Sequence, residues 1–106
     1  MRNIYLIGLF NGFSIMTSFF VDLVHTDNGF TCSDSGFRDL STAQECYGIV
    51  SYAKTFNSKA YYAGKESSTT RPKGCYIHVF GDMYFNTHPA GGSSSYVTSI
   101  CRKGNT

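Results

Sequence analysis

The sequence predicts an α+β domain: one helix packed on a small antiparallel sheet, cross-linked by two disulfides. Three observations point there. One segment, residues 42–54, combines helix-capping chemistry with an apolar stripe at helical spacing. The segments around it are short and rich in Tyr, Phe and β-branched residues, with Gly, Asn, Asp and Ser between them. Four cysteines, Cys32, Cys46, Cys75 and Cys101, form an even set in a chain of 106 residues, a length for one domain.

The elements follow in chain order. A short positive start, Met1-Arg2-Asn3, leads into the apolar run Ile4–Phe10 and then Asn11–Met16, the pattern of a secretory signal peptide. Residues 1–18 therefore read as a signal peptide, 19–103 as a single domain and 104–106 as a tail. Asn11-Gly12 interrupts the apolar run, which weakens the alternative of an uncleaved anchor; a strand of the fold is the third reading. Val21-Asp22-Leu23-Val24-His25 alternates apolar and polar like a half-buried strand. Thr26-Asp27-Asn28-Gly29 is turn chemistry, and Phe30-Thr31-Cys32 extends a short hairpin.

The helix has two overlapping capping boxes, Ser41 with Gln44 and Thr42 with Glu45. Ala43, Cys46, Tyr47, Val50 and Ala53 then share one face. Lys59–Ala63 reads as a strand and residues 64–71 as a polar loop closed by Pro72-Lys73-Gly74. Cys75–Phe80 and Met83–Asn86 read as two strands joined by a tight Gly81-Asp82 turn. In that register Val79 faces Tyr84 and His78 faces Phe85. Cys75, Ile77, Val79 and Tyr84 then share one face, and Tyr76, His78, Phe80, Met83 and Phe85 the other. Residues 87–95 form a Gly/Ser-rich linker loop, and Tyr96–Cys101 is the closing strand.

Composition narrows the function. Charged residues are 15%, hydrophobic residues 42% and the net charge is +2, which excludes a disordered chain and a dedicated nucleic-acid binder. No Asn-x-Ser/Thr sequon occurs, so N-glycosylation is not expected. No Cys-x-x-Cys is present, and the secretory start favours oxidised cysteines in an extracellular compartment. Spacing alone leaves all three connectivities open. His25, His78 and His88 have no metal-ligand spacing, and Asp27, Asp34 and Asp39 lack the pattern of a calcium loop. Ser93-Ser94-Ser95 is no nucleophile elbow, and Gly91-Gly92 is no phosphate loop. No catalytic group, metal or cofactor is expected.

Two capped-helix residues and several short motifs carry a resemblance. Thr42-x-x-Glu45-Cys46, an aromatic strand and Gly74-Cys75-Tyr76 resemble PAN/apple-like modules, and WSC-type domains share the capped helix cysteine and the Gly-Cys-Tyr element. The set Glu45-Cys46, Pro72-Lys73-Gly74-Cys75-Tyr76, Tyr84-Phe85-Asn86 and Ile100-Cys101-Arg102 is also similar to a group of secreted proteins from protists, algae and their large viruses. Their opening Gly-x-Cys is one residue longer here, Gly29-Phe30-Thr31-Cys32, and this helix carries Cys46 alone where some PAN modules carry two cysteines. The resemblance covers residues 21–103. It implies Cys46–Cys75 and Cys32–Cys101 bridges, and binding to a carbohydrate or a protein.

The expected site is the aromatic hairpin face: Tyr76, His78, Phe80 and Phe85, with Arg71 and Lys73 at its edge and Lys65 nearby. Flat rings suit sugar faces or apolar partner groups, and the cations suit acidic glycans. Expected partners are a glycan or an extracellular protein, with no nucleic acid, and a membrane only if the N-terminal segment stays attached. The alternative role is a structural subunit of an extracellular coat, fibre or virion surface, in which the chain self-associates.

Overall fold

A computed structural model describes residues 22–104. The signal peptide over 1–18, the first residues of the expected domain and the end of the tail lie outside them. Six strands and two short helices make an α+β fold: β1 Leu23–His25, β2 Arg38–Asp39, α1 Ala43–Gly48, α2 Val50–Ala53, β3 Tyr61–Glu66, β4 Gly74–His78, β5 Asp82–Asn86 and β6 Val97–Arg102. A 3-10 turn, Ser33–Ser35, precedes β2. None of the helices in these residues is long and apolar enough to cross a membrane.

The helical segment starts where its capping chemistry places it. Thr42 is extended at φ −136°, and its hydroxyl accepts from the Glu45 N–H. The Glu45 carboxylate accepts from the N–H groups of Thr42 and Ser41 in return. This reciprocal pair satisfies donors that a helix start leaves without partners. The expected single helix is instead broken at Ile49, at φ −110° and ψ 21°. Gly48 followed by the β-branched Ile49 and Val50 is the weakest helical stretch of the segment, and the chain turns there. Cys46 and Ala53 are buried on the inner face, as the stripe predicts. Tyr47 is not; it lies outside, edge-on to Tyr62 at 5.6 Å.

The sheet runs β1-β6-β4-β5-β3, with β2 beside the end of β6. It is mixed rather than antiparallel, because β3 pairs in parallel with β5 while the other ladders are antiparallel. The returning strand β5 inserts between β4 and β3, so β3 sits at the sheet's end. A bulge between Tyr62 and Gly64 resets the β3 register.

The β4–β5 register differs from the sequence expectation. Ile77 pairs with Met83, Tyr76 with Tyr84 and Cys75 with Phe85. The connection is Val79-Phe80-Gly81, and Asp82 is already strand. Gly81 sets this geometry: it has φ +107°, and a Cβ there would lie 2.5 Å from the Lys59 carbonyl oxygen. Its own carbonyl accepts from the Tyr61 N–H at 2.9 Å, docking the turn on the start of β3. An odd shift of register turns every β5 side chain over. Met83 and Phe85 therefore join Cys75 and Ile77 on the helix side, and Tyr84 joins Tyr76 on the outer side.

The core lies between the helices and this inner sheet face, with Leu40, Cys46, Ile77, Met83 and Ile100 nearly or fully enclosed. Two disulfides tie it. Cys46–Cys75 joins α1 to β4, and Cys32–Cys101 joins the 3-10 turn to β6. These are the pairs the PAN/apple resemblance implies. They close separations of 29 and 69 residues, worth about 3.6 and 4.4 kcal/mol in the chain-entropy picture.

On the outer face, residues 26–32 cover β6. The Thr26 hydroxyl donates to the Asp27 and Phe30 carbonyls and accepts from the Ser99 N–H, and the Ser99 hydroxyl donates to the Phe30 carbonyl. Farther along, Asn86 is buried and fastens two loops to the end of β5. Its amide nitrogen donates to the carbonyls of Ser68, Arg71 and Pro72, and its oxygen accepts from the N–H groups of Ser68 and His88. The Gly/Ser segment is therefore not the expected linker. Gly92 lies so close to Thr69 that a Cβ would sit 2.3 Å from its carbonyl oxygen.

Candidate functional site

The part of the outer face left open carries aromatic side chains from four elements. Tyr76 and Tyr84 are a cross-strand pair, with ring centroids 5.8 Å apart. His78, two residues along β4, is stacked between Phe80 of the turn at 4.8 Å and Tyr96 ahead of β6 at 6.4 Å. Phe80 is 73% exposed and Tyr96 64% exposed. The His78 imidazole accepts from the Phe80 N–H and lies 3.9 Å from Asp82.

A polar group sits beside the rings. The Tyr76 hydroxyl donates to Glu66 Oε2, from the end of β3, and the Arg71 guanidinium stands beside the same hydroxyl. Burial, reinforced by the Glu66 carboxylate, pushes the Tyr76 phenol far above its ordinary range, so it is a fixed proton donor.

The structure brings four of the six expected residues together: Tyr76, His78, Phe80 and Arg71. Tyr76 is itself only 2% exposed and acts on the face through Glu66 rather than as an open ring. Phe85 is on the other side, packed in the core at 9% exposure, because of the register shift. Lys73 turns away to pair with Asp39 at 3.5 Å. Burial raises the Asp39 pKa, and Lys73 opposes that shift. Lys65 pairs with Phe85 in the ladder and so lies off the outer face.

Three residues of the face escape the sequence reading. Tyr84 takes the core side in the shorter-turn register, Tyr96 reads only as the start of a strand, and Glu66 falls in an expected loop. The Tyr84–Phe85–Asn86 triplet does signal an important strand, without saying which side is which.

The remaining histidines and aspartates do other work. His25 lies flat on Phe56 at 3.8 Å, with Nδ1 hydrogen-bonded to the Tyr52 hydroxyl. Burial lowers its pKa, and Asp27 pulls the other way. This pair walls a shallow cleft of about 580 Å³ on the helix side, floored by Ile77, Val79 and Thr98. His88 Nδ1 accepts from the N–H groups of Ala90 and Gly91, which folds the loop. Asp34 caps a turn by accepting from the Thr31 N–H. Among the described residues no three His, Cys, Asp or Glu side chains gather as a metal site.

No protein-family model, curated protein or solved structure gives a significant match to the chain.

Proposed function

We propose that this protein is an extracellular, non-catalytic binding module that takes a carbohydrate on its outer sheet face. The observation that carries the reading is the exposed aromatic stack Phe80–His78–Tyr96 beside the Tyr76–Tyr84 pair, on a face flanked by hydrogen-bonding groups. Exposed rings interleaved with fixed polar groups match the two faces of a sugar, apolar C–H surface and hydroxyl rim. Two disulfides hold the strands and loops that carry these side chains, and disulfides persist in oxidising compartments. The helix-to-sheet and turn-to-strand bridges also support a PAN/apple-like relationship.

The test is a glycan array probed with the oxidised domain and with Phe80→Ala/Tyr96→Ala. The wild type should retain specific glycans, and the double variant should lose them with its melting temperature within a few degrees. An array silent for the wild type refutes the reading.

One observation favours a second role, the self-associating structural subunit. Among the described residues β3 pairs on one side only, and Tyr61 and Tyr47 beside it are exposed. Such an edge accepts another strand. Sedimentation of the domain at rising concentration separates the two roles, since a coat or fibre subunit assembles and a monomeric binder does not.

A further inference from the structure

The cleft on the helix side of the sheet is a second concave surface, apart from the aromatic face. Its volume of about 580 Å³ falls in the range of small-molecule sites. Ile77 and Thr98 lie opposite each other on β4 and β6 and form the floor, with the exposed Val79 beyond them. Each wall is held by contacts that leave the floor open. His25 lies flat on Phe56, and its Nδ1 is hydrogen-bonded to the Tyr52 hydroxyl, so this wall is a braced pair of rings. Asn57 closes one end: its amide nitrogen donates to the Val79 carbonyl at 3.2 Å, and its oxygen accepts from the Lys59 N–H at 3.1 Å.

Asp27 and Asn28 form the remaining wall. The Thr98 hydroxyl donates to Asn28 Oδ1, which ties the amide to the floor and leaves its Nδ2 hydrogens without an acceptor among the described residues. The Asp27 carboxylate takes no hydrogen bond and no ion pair among the described residues, and it lies near enough to His25 to oppose the fall of that pKa. One strong acceptor thus stands beside one strong donor, next to the aliphatic side chains of Ile77 and Val79. Among the described residues no lysine or arginine lines the cleft, so nothing there offsets an anionic ligand against Asp27.

A hydroxyl satisfies the acceptor or the donor and leaves the apolar floor uncovered. An acetamido group meets all three in one rigid plane: its N–H donates to the carboxylate, its carbonyl accepts from the amide, and its methyl covers the aliphatic floor. Disulfides persist in oxidising compartments, and there lone acetamido groups are carried mainly by N-acetylated sugars. We propose that this cleft is a site for an N-acetylhexosamine residue, its acetamido group held between Asp27 and Asn28 and its ring along the His25–Phe56 wall. The site shares with the reading above the premise of an extracellular glycan, but it lies on the opposite side of the sheet and does not require binding on the aromatic face.

The experiment is a nuclear magnetic resonance titration of the isotope-labelled, oxidised domain with the methyl glycosides of N-acetylglucosamine and N-acetylgalactosamine. Methyl glucoside, which lacks the acetamido group, and N-methylacetamide, which lacks the sugar, are the comparisons. One sugar residue held this way binds at about millimolar strength, too weakly to be retained on an array. At least one acetamido sugar should move the Asn28 side-chain and Val79 main-chain signals saturably, with both comparisons about tenfold weaker or more. Asp27→Asn should weaken the binding about tenfold or more by losing a charge-assisted bond, and Asn28→Asp by a similar factor, since it sets a carboxylate against the acetamido carbonyl. Both variants keep nearly the native size, Asn28→Asp keeps an oxygen for the Thr98 hydroxyl, and thermal unfolding confirms that they fold. Phe80→Ala/Tyr96→Ala should leave this binding unchanged. Equal binding of methyl glucoside or N-methylacetamide, or unaltered binding in both cleft variants, overturns the site. So does a titration that moves only outer-face signals and is abolished by Phe80→Ala/Tyr96→Ala, a result that leaves carbohydrate binding on that face standing. No shift with any sugar also overturns the cleft, while the array decides the outer face separately.

Discussion

Replacing Asn86 by Ala should be among the most damaging single changes in this domain. Asn86 is 1% exposed, and its amide accounts for five hydrogen bonds to main-chain groups of residues 68, 71, 72 and 88. Alanine leaves those carbonyls and N–H groups facing an apolar methyl. Water can reach the exposed loop tips, so the loss is nearer the net worth of a hydrogen bond, about 1 kcal/mol, than the full desolvation cost of each group. With five bonds, two of them sharing one donor hydrogen, the expected loss is about 3–4 kcal/mol. For a domain of this size that lowers the melting temperature by about 12 °C or more. Asn86→Asp is the sharper control. It keeps the one oxygen that accepts from the Ser68 and His88 N–H groups but places a carboxylate against three carbonyls, so at neutral pH it should be no more stable than Asn86→Ala. Urea unfolding followed by circular dichroism measures both. A loss below about 1 kcal/mol for Asn86→Ala, or an Asp variant as stable as wild type, would refute the account of Asn86 as the fastener of the two loops.

Phe85→Ala should cost about 3–5 kcal/mol, as core aromatic truncations do, whereas Phe80→Ala should leave the unfolding midpoint nearly unchanged; similar losses from the two would contradict the observed register. Removing the Cys46–Cys75 or the Cys32–Cys101 bridge by paired Cys→Ala changes should destabilise the oxidised domain by about 3.6 or 4.4 kcal/mol respectively, and non-reducing peptide mapping should find Cys46 linked to Cys75 and Cys32 to Cys101. Burial lowers the folded-state pKa of His25 below its ordinary 6.5, so the unfolded chain takes up this proton first. The His25 contribution is therefore full above pH 6.5 and is lost as pH falls below it; His25→Phe should flatten that part of the stability–pH curve, and an unchanged slope would count against a partly desolvated neutral imidazole on Phe56.

The helix start, the core side of Cys46 and Cys75, and most strand positions are legible in the sequence because their causes are local. Thr42 and Glu45 are neighbours on one turn, and the stripe through Cys46 and Ala53 repeats at helical spacing. The β4–β5 register is not legible, because its cause is distant. Gly81-Asp82 has the composition of a tight turn, but Gly81 is pinned by the Lys59 and Tyr61 backbone, about twenty residues away in the chain. That contact adds Val79 and Phe80 to the turn and inverts β5. The same distance hides the parallel pairing of β3, whose partner is reached only after β4 has passed. The site inherits both effects: Tyr76, His78 and Phe80 are readable from β4 alone, whereas Tyr84 and Glu66 join them only once β5 and β3 are correctly placed.

The first and last strands have a mechanical consequence. β1 and β6 are antiparallel neighbours with Leu23 opposite Arg102, and the Lys103 N–H donates to the Asp22 carbonyl. Tension applied at these two points pulls the rungs apart one at a time, the geometry in which a ladder resists least. The opening stops at the Cys32–Cys101 bridge, since everything between those residues is a closed covalent loop. The domain then yields only the roughly ten residues ahead of Cys32, about 35 Å of slack. Beyond that the load runs through a sulfur–sulfur bond, and the aromatic face inside the loop feels none of it.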